Sequence, residues 1–475
     1  MNTSTCVISY VCMPQDFDGH RLDFRFMQAP RLLRRLGPFD AGLIVMGGIV
    51  GSGIFRNPSV VAARVHAPAL VMAVWIAGGA VALLGAFLFA ELASRRPADG
   101  GLYAYMRDAF HPIVAFAYGW TLLLVSQSGG MAAAAVTFAG YFGPLTGLHV
   151  DSGLLAFVVL ALLTVVNCLG VRSGSNVQNT FMILKIGAIA ALVGVGLFAH
   201  PGAGAHLATP PFASNGGALA AMGFAMIPVL FAYSGWQTAS FMTAELKRPA
   251  KSLPVALLWG VCAVIVLYVL VNLVMIRVLG ANGLMHTDTP ASDLMRVALG
   301  PVGERIIALA VALSTLGFLS NQMLTSPRVY HAMAQDGTFF KAVAWVHPTT
   351  HAPVVAIALQ GVLAMILAES KRYDQILNYV TSIDYIFFGF AALALFVFRK
   401  RDAATNPAAK IGFKMPGHPV TTALFLVVAW AVVADTWIKS PSDSLVGLGI
   451  LLLAVPVYVA RRYASSRRQG GAPRS

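Results

Sequence analysis

Apolar residues run through this chain in blocks of about 20, long enough for each block to cross a bilayer core as one helix. The blocks are rich in Ala, Leu, Val and Gly, and they are too long for β-barrel strands. They predict transmembrane helices over residues 39–64, 68–94, 112–142, 152–169, 176–200, 218–243, 253–279, 300–331, 353–368, 376–398, 418–438 and 444–461, the ninth being short. The expected fold class is therefore an all-α membrane protein of about twelve helices. Residues 1–38 form a polar N-terminal segment and 462–475 a polar tail.

Composition agrees with this pattern. Of the 475 residues 57% are hydrophobic and 11% charged, against roughly 25% charged in soluble proteins. The net charge of +14 raises nucleic acid as a partner, but there is no basic face or binding motif. The Lys and Arg residues cluster between apolar blocks instead. With a cytoplasmic N-terminus, 24 of the 33 fall on the cytoplasmic side, eight fall outside, and Lys185 lies within a span. That bias places both termini in the cytoplasm and requires an even number of spans. The first 30 or so residues lack the apolar core and cleavage site of a signal peptide, and Met27 is an alternative start. The cysteines, Cys6, Cys12, Cys168 and Cys262, have neither metal-ligand nor disulfide-framework spacing. No metal or cofactor is expected.

Two spans are interrupted. The first carries Gly47, Gly48, Gly51, Ser52 and Gly53; the sixth carries the run Phe231-Ala232-Tyr233-Ser234-Gly235-Trp236. Each opens a group of five spans, residues 39–200 and 218–398, with 418–461 left for two more. An odd number of spans per half forces the second half to insert upside down. Inverted repeats broken at corresponding helices mark the substrate site of many secondary transporters. An opened helix frees N–H groups that attract a carboxylate and carbonyls that accept from an ammonium. Unpaired backbone is tolerated in a membrane only where it lines a cavity or is packed. Close helix packing through small residues is the competing explanation for the glycines.

Few polar side chains lie inside spans. Lys185 sits about ten residues into the fifth, flanked by Phe181, Met182, Ile183, Leu184 and Ile186. A lysine at that depth costs ~2.5–3.5 kcal/mol on insertion scales and points to function. It can act as a fixed cation in place of Na⁺ or as a proton carrier; snorkelling to the interface is the alternative. Asp384, in the tenth span, either selects a polar or cationic side chain or pairs with a polar neighbour. Tyr268 and Asn272 share a face of the seventh span. Glu91 and Glu245 stand at cytoplasmic span ends beside basic residues, suited to loop anchoring or gate salt bridges. Phe231 and Trp236 are candidates to cover a bound solute.

At these residues the chain resembles the amino acid–polyamine–organocation superfamily, and within it the L-type amino-acid transporters and their bacterial relatives. The likeness runs from Phe39 to the last span. It rests on Gly48-Ile49-Val50-Gly51-Ser52-Gly53-Ile54-Phe55; on Ala90-Glu91-Leu92 followed by Pro97, Gly100-Gly101, Tyr103 and Tyr105; and on Val177-Gln178 with Phe181 and Lys185. It also rests on the Phe231–Trp236 run, on Tyr268 with Asn272, and on Ser326-Pro327-Arg328 ahead of Asp336-Gly337. The resemblance implies a LeuT-type fold of two inverted five-helix repeats plus two helices. It implies that Ser52 and Gly53, beside Gly51, bind a substrate carboxylate through N–H groups. Carbonyls of Ile49, Phe231 and Ser234, with Ala232 adjacent, would hold its amine. Phe231 would be an outer gate, Lys185 would stand where a sodium ion binds, and Tyr268 would support Lys185 or the carboxylate. Ser126, Gln127 and Asp384 would face the substrate side chain. Two departures stand out. Ser234 replaces a glycine of eukaryotic relatives, and Asp384 replaces a neutral residue. The loop after the third span has no cysteine, so no disulfide-linked heavy subunit is expected.

The expected function is thus sodium-independent amino-acid transport by alternating access, as an exchanger or a proton symporter, in a plasma membrane of bacterial inner-membrane type. A neutral amino acid is the expected substrate. A cationic amino acid or polyamine is the alternative that Asp384 favours. A membrane enzyme would need clustered His, Asp or Glu within spans, and the 11 histidines are scattered. A channel or nutrient sensor is the reading from another class, and the short termini leave no signalling domain for a sensor.

Overall fold

The computed structural model describes residues 36–146, 150–169, 171–200, 217–369, 373–405 and 411–470. Met27, Cys6, Cys12 and the first basic cluster lie outside the described residues, as do Lys371, Arg372, Lys410 and Arg474. The helices are α1 (Pro38–Ile49), α2 (Gly53–Val65), α3 (Pro68–Arg95), α4 (Leu102–Ala109), α5 (Pro112–Thr121), α6 (Ser128–Thr146), α7 (Ser152–Cys168), α8 (Val171–Phe198) and α9 (Gly217–Tyr233). They continue as α10 (Thr238–Phe241), α11 (Pro249–Met285), α12 (Pro290–Thr325), α13 (Pro327–Gln335), α14 (Val354–Ala368), α15 (Tyr373–Thr405), α16 (Val420–Lys439) and α17 (Pro441–Gly470). Prolines open α1, α3, α5, α11, α12 and α13, where the missing N–H would have had no helical partner anyway.

Among the described residues there are no β-strands; one parallel bridge joins Leu36 to Leu246. Among the described residues, eight helical stretches, α3, α11, α15 and α16 among them, are long and apolar enough to cross a membrane. The pair α1–α2, bent by 41° at a short break, adds a ninth. Helices α7 and α14 are shorter apolar helices; α14 falls on the short stretch expected at 353–368. The outermost helices carry bare apolar side chains, including Val427, Ile438, Leu445 and Leu452. Such a surface suits lipid rather than water. The chain is a multi-pass membrane protein.

The broken helices lie in the centre. Helix α1 packs on α11 and reaches α12 and α8, while α2 packs on α9 and also touches α11 and α12. Around them α3 packs against α11, α12 against α8 and α6, and α15 against α16. The first interruption is narrower than expected. Gly47 and Gly48 remain helical, the chain leaves the helix at Val50 (φ −74°, ψ 90°), and α2 begins at Gly53.

One end of the bundle is tied by ion pairs. Glu91, fully buried on α3, receives Arg399 on both oxygens (2.8 and 2.6 Å), Arg95 at 2.7 Å and the Met415 N–H at 2.7 Å. Arg95 also reaches Asp402 at 2.6 Å, and Arg96 bonds the same carboxylate. Glu91 is thus an anchor between α3 and α15. Arg328 pairs with Glu245 at 3.0 Å, both buried. The second carboxylate therefore joins the start of α13 to the segment after α10. Removing one partner of a buried ion pair costs about 3–5 kcal/mol because the other charge stays buried. Glu91→Ala is expected to destabilise the protein by that order, measured by thermal unfolding in detergent. Arg399→Ala costs less, since Glu91 then keeps Arg95 and the Met415 N–H as partners. Unchanged thermal stability of Glu91→Ala contradicts the anchoring role.

Candidate functional site

The two interruptions meet. An added Cβ at Gly48 would lie 2.5 Å from both the Gly235 carbonyl oxygen and Thr238 Oγ1. Gly235, at φ 107°, would drive its own Cβ into the Gly48 carbonyl. Only glycine adopts such a φ without strain. The backbone of α1 therefore crosses the turn after α9 in direct contact, which side chains at either glycine would prevent.

Ending a helix here frees carbonyls that need donors. Buried side chains supply them. Lys185 Nζ, on α8, donates to the Val50 carbonyl, and its side chain is 2% exposed. The Tyr268 hydroxyl, on α11, lies 3.1 Å from the Ile49 carbonyl and 3.2 Å from that of Ala232. One phenol thus bridges both interruptions, with Trp75 and Tyr233 packed against its ring at 5.7 and 5.0 Å. In the second turn, Thr238 Oγ1 donates to the Gly235 carbonyl at 2.7 Å, and the Gln237 side-chain oxygen accepts from the Gly235 N–H at 3.1 Å. Tyr268 therefore braces the breaks themselves rather than the Lys185 side chain.

Further along α9, Pro228 has no N–H, so the Phe224 carbonyl four residues earlier lacks its helical donor. Arg64 donates to that carbonyl at 2.7 Å, with its guanidinium 3.8 Å above the Phe224 ring. Asn57 Nδ2 donates to the Pro228 carbonyl at 2.7 Å. Helix α2 is fastened to α9 by these two contacts. The signal was present in the sequence as a proline inside an apolar span.

A cavity of about 590 Å³, counting the part open at its mouth, lies beside the crossing. Ile49, Gly51, Ser52 and Gly53 line it from the first interruption, and Phe231, Ala232 and Ser234 from the second. Ser126, Gln127 and Asp384 complete the set of ten residues expected at a binding site, and all ten face this one space. Lys185 and Tyr268 stand behind it, on the carbonyls that frame it. Trp236 does not line it. Its ring is 2% exposed and packs on Phe89 and Phe388 at 4.8 and 5.0 Å. The aromatic run holds two kinds of ring, and the sequence alone does not separate Phe231, at the cavity, from Trp236, in the packing.

Sequence reasoning missed Gln237, Phe318, Gln322, Thr381 and Tyr385, which also line the cavity. It missed the π-helical turn Leu122–Gln127 as well. That turn widens the helix between α5 and α6 and brings Ser126 and the adjacent Gln127 to the same space. Single π turns recur at functional sites. Ser128 Oγ donates to the carbonyl of Leu123, five residues back, at 2.6 Å.

The chemistry follows from these ends. No side chain caps the start of α2 at Ser52, so its first N–H groups and the positive end of its dipole are offered to an anion. Ile49, Phe231 and Ser234 line the same cavity, and their carbonyls can accept from a cation. The arrangement matches a zwitterion.

A family model described as amino acid permease matches residues 36–458. The chain is 30% identical over 441 residues to large neutral amino acids transporter small subunit 2 from Homo sapiens, covering 90% of this chain and 80% of that one. It is 28% identical over 436 residues to the serine/threonine exchanger SteT of Bacillus subtilis (strain 168), covering 90% and 96%. It is 28% identical over 416 residues to b(0,+)-type amino acid transporter 1 from Mus musculus, covering 86% and 85%.

The crossing predicts an asymmetry among cavity glycines. Gly235→Ala is expected to lower stability by about 1–3 kcal/mol or more, as overpacking does. Gly130→Ala, with nothing within 4 Å of the added methyl, should leave thermal unfolding unchanged. Equal stability of the two variants contradicts the contact.

Proposed function

Because the chain belongs to the amino acid permease family, we propose that it is a secondary active amino-acid transporter that exchanges substrates by alternating access without sodium. The observation that carries this reading is the cavity at the crossing of the two interruptions, lined from both. In the proposed mode the substrate carboxylate sits on the Ser52 and Gly53 N–H groups, with Gly51 leaving room for it. The ammonium sits on carbonyls of Ile49, Phe231 and Ser234. Phe231 covers the bound substrate. Lys185 supplies at the Val50 carbonyl the positive charge that a sodium ion supplies elsewhere, so no ion needs to bind there.

The substrate class proposed is neutral amino acids. Two relatives are by name a serine/threonine exchanger and a transporter of large neutral amino acids. The wider organisation belongs to the same proposal: twelve spans, of which residues 39–200 and 218–398 form inverted repeats and 418–461 the two remaining helices. Both termini are cytoplasmic in this scheme, as the uneven spread of Lys and Arg supports. The chain works without a disulfide-linked partner, since the segment 143–151 has no cysteine. Transport, not catalysis, is the activity of the family.

A second reading, proton symport, is favoured by Lys185, whose hydrogen-bond partner is a neutral carbonyl and which can therefore lose its proton without breaking an ion pair. Purified protein in proteoliposomes separates the two. Exchange predicts uptake of labelled amino acid only into vesicles preloaded with unlabelled amino acid, with no requirement for a pH gradient. Uptake into empty vesicles driven by a pH gradient supports the symporter instead. No uptake of any amino acid under either condition contradicts both.

A further inference from the structure

One wall of the cavity is polar well beyond what a zwitterion's backbone groups require. It is built from α15, the π turn and α12, and it carries Ser126, Gln127, Gln322, Thr381 and Asp384. All five are buried, at 2 to 7% exposure. Asp384 accepts from the Ser126 hydroxyl. A carboxyl group offers about four hydrogen-bonding positions in either protonation state, so one hydroxyl leaves most of them open. The Gln322 side-chain oxygen and the Thr381 hydroxyl have no hydrogen-bond partner among the described residues. The Gln127 oxygen accepts from the Ser326 hydroxyl at 2.8 Å, so its NH₂ group is the end that donates. The wall thus holds open acceptors on Asp384 and Gln322 beside donors on Gln127 and Thr381.

We propose that this wall selects amino acids whose side chain ends in a hydroxyl or carboxamide, with Asp384 as the principal specificity residue. The inference rests on the amino-acid reading above and narrows it. An apolar side chain would enclose these groups without partners, and buried polar atoms without partners are costly. A hydroxyl or carboxamide donates to Asp384 and also accepts from Gln127 or Thr381. An ammonium donates but accepts nothing, so it leaves the donors of the same wall unanswered. The neutral polar side chain is the better match to the whole wall, although a cation matches Asp384 alone.

The test is exchange in preloaded proteoliposomes with near-isosteric pairs: threonine against valine and glutamine against methionine, with lysine as a cationic competitor. The cost of leaving buried polar groups without partners predicts that the polar member of each pair is taken up about 10-fold or more in preference to its apolar partner. In Asp384→Leu the preference should collapse towards parity, while Asp384→Asn, which keeps one acceptor oxygen and the shape, should retain part of it. If Asp384→Leu fails to fold, the wild-type ratios and Asp384→Asn decide. Equal uptake within the wild-type pairs overturns the proposal, as do ratios unchanged in Asp384→Asn and in whatever Asp384→Leu folds. Lysine outcompeting threonine and glutamine overturns it in favour of cationic selection. Those results leave amino-acid exchange intact; absence of uptake for every amino acid removes the transport reading itself.

Discussion

A helix that stops inside a membrane exposes main-chain carbonyls where no water is present to pair with them, each at a cost of several kcal/mol if left unpaired. This protein stops two helices side by side. The solution is local: Lys185 holds the Val50 carbonyl, and Tyr268 stands between the carbonyls of Ile49 and Ala232. The ammonium lies at a helix C-terminus, where the dipole favours positive charge. The cation costly to bury and the carbonyls costly to leave bare compensate each other. The site is built on this pairing, since Ile49 and Ala232, whose carbonyls it holds, line the cavity and Val50 adjoins it.

With the carbonyls held from behind, the other faces of the two interruptions are free to form a cavity. Their spacing is set by Gly48 and Gly235, which touch backbone to backbone. Arg64 and Asn57 fasten α2 to α9 through the carbonyls of Phe224 and Pro228. These contacts tie the two interrupted helices to each other. The ion pairs at Glu91 and Glu245 instead join helices at the bundle end. The Glu245 pair also reaches the central helices, because it ties the segment that follows α10, the continuation of the second interrupted span, to α13.

Much of this was legible in the sequence because it is carried by residue types that a membrane tolerates only for a reason. Glycines beside Ser52, a lysine among Phe181, Met182, Ile183 and Leu184, and Asp384 in an apolar span each signal a site by their cost. The ten residues named as candidate substrate contacts border one cavity. What the pattern did not carry is the direction in which a side chain points. Trp236 and Phe231 belong to one run, yet one is packed on Phe89 and the other faces the cavity. The π turn at Leu122–Gln127 has no signature in hydrophobic periodicity, since its first four residues, Leu122 to Val125, are all apolar. Gly47 and Gly48 looked like part of the break; they are helical, and Gly48 provides close approach instead of flexibility. Gln322 and Thr381 read as ordinary polar residues until their neighbours were in place.

The freed N–H groups at Ser52 and Gly53 are the proposed anchor for the substrate carboxylate. The most direct measurement is a cryo-electron microscopy map of the protein with a transported amino acid bound. The account predicts density in the cavity between the two interruptions, with the carboxylate within hydrogen-bond distance of the Ser52 and Gly53 amides and Lys185 still on the Val50 carbonyl. An amino acid bound elsewhere, or bound here with its carboxylate turned to Asp384 and away from those amides, contradicts it.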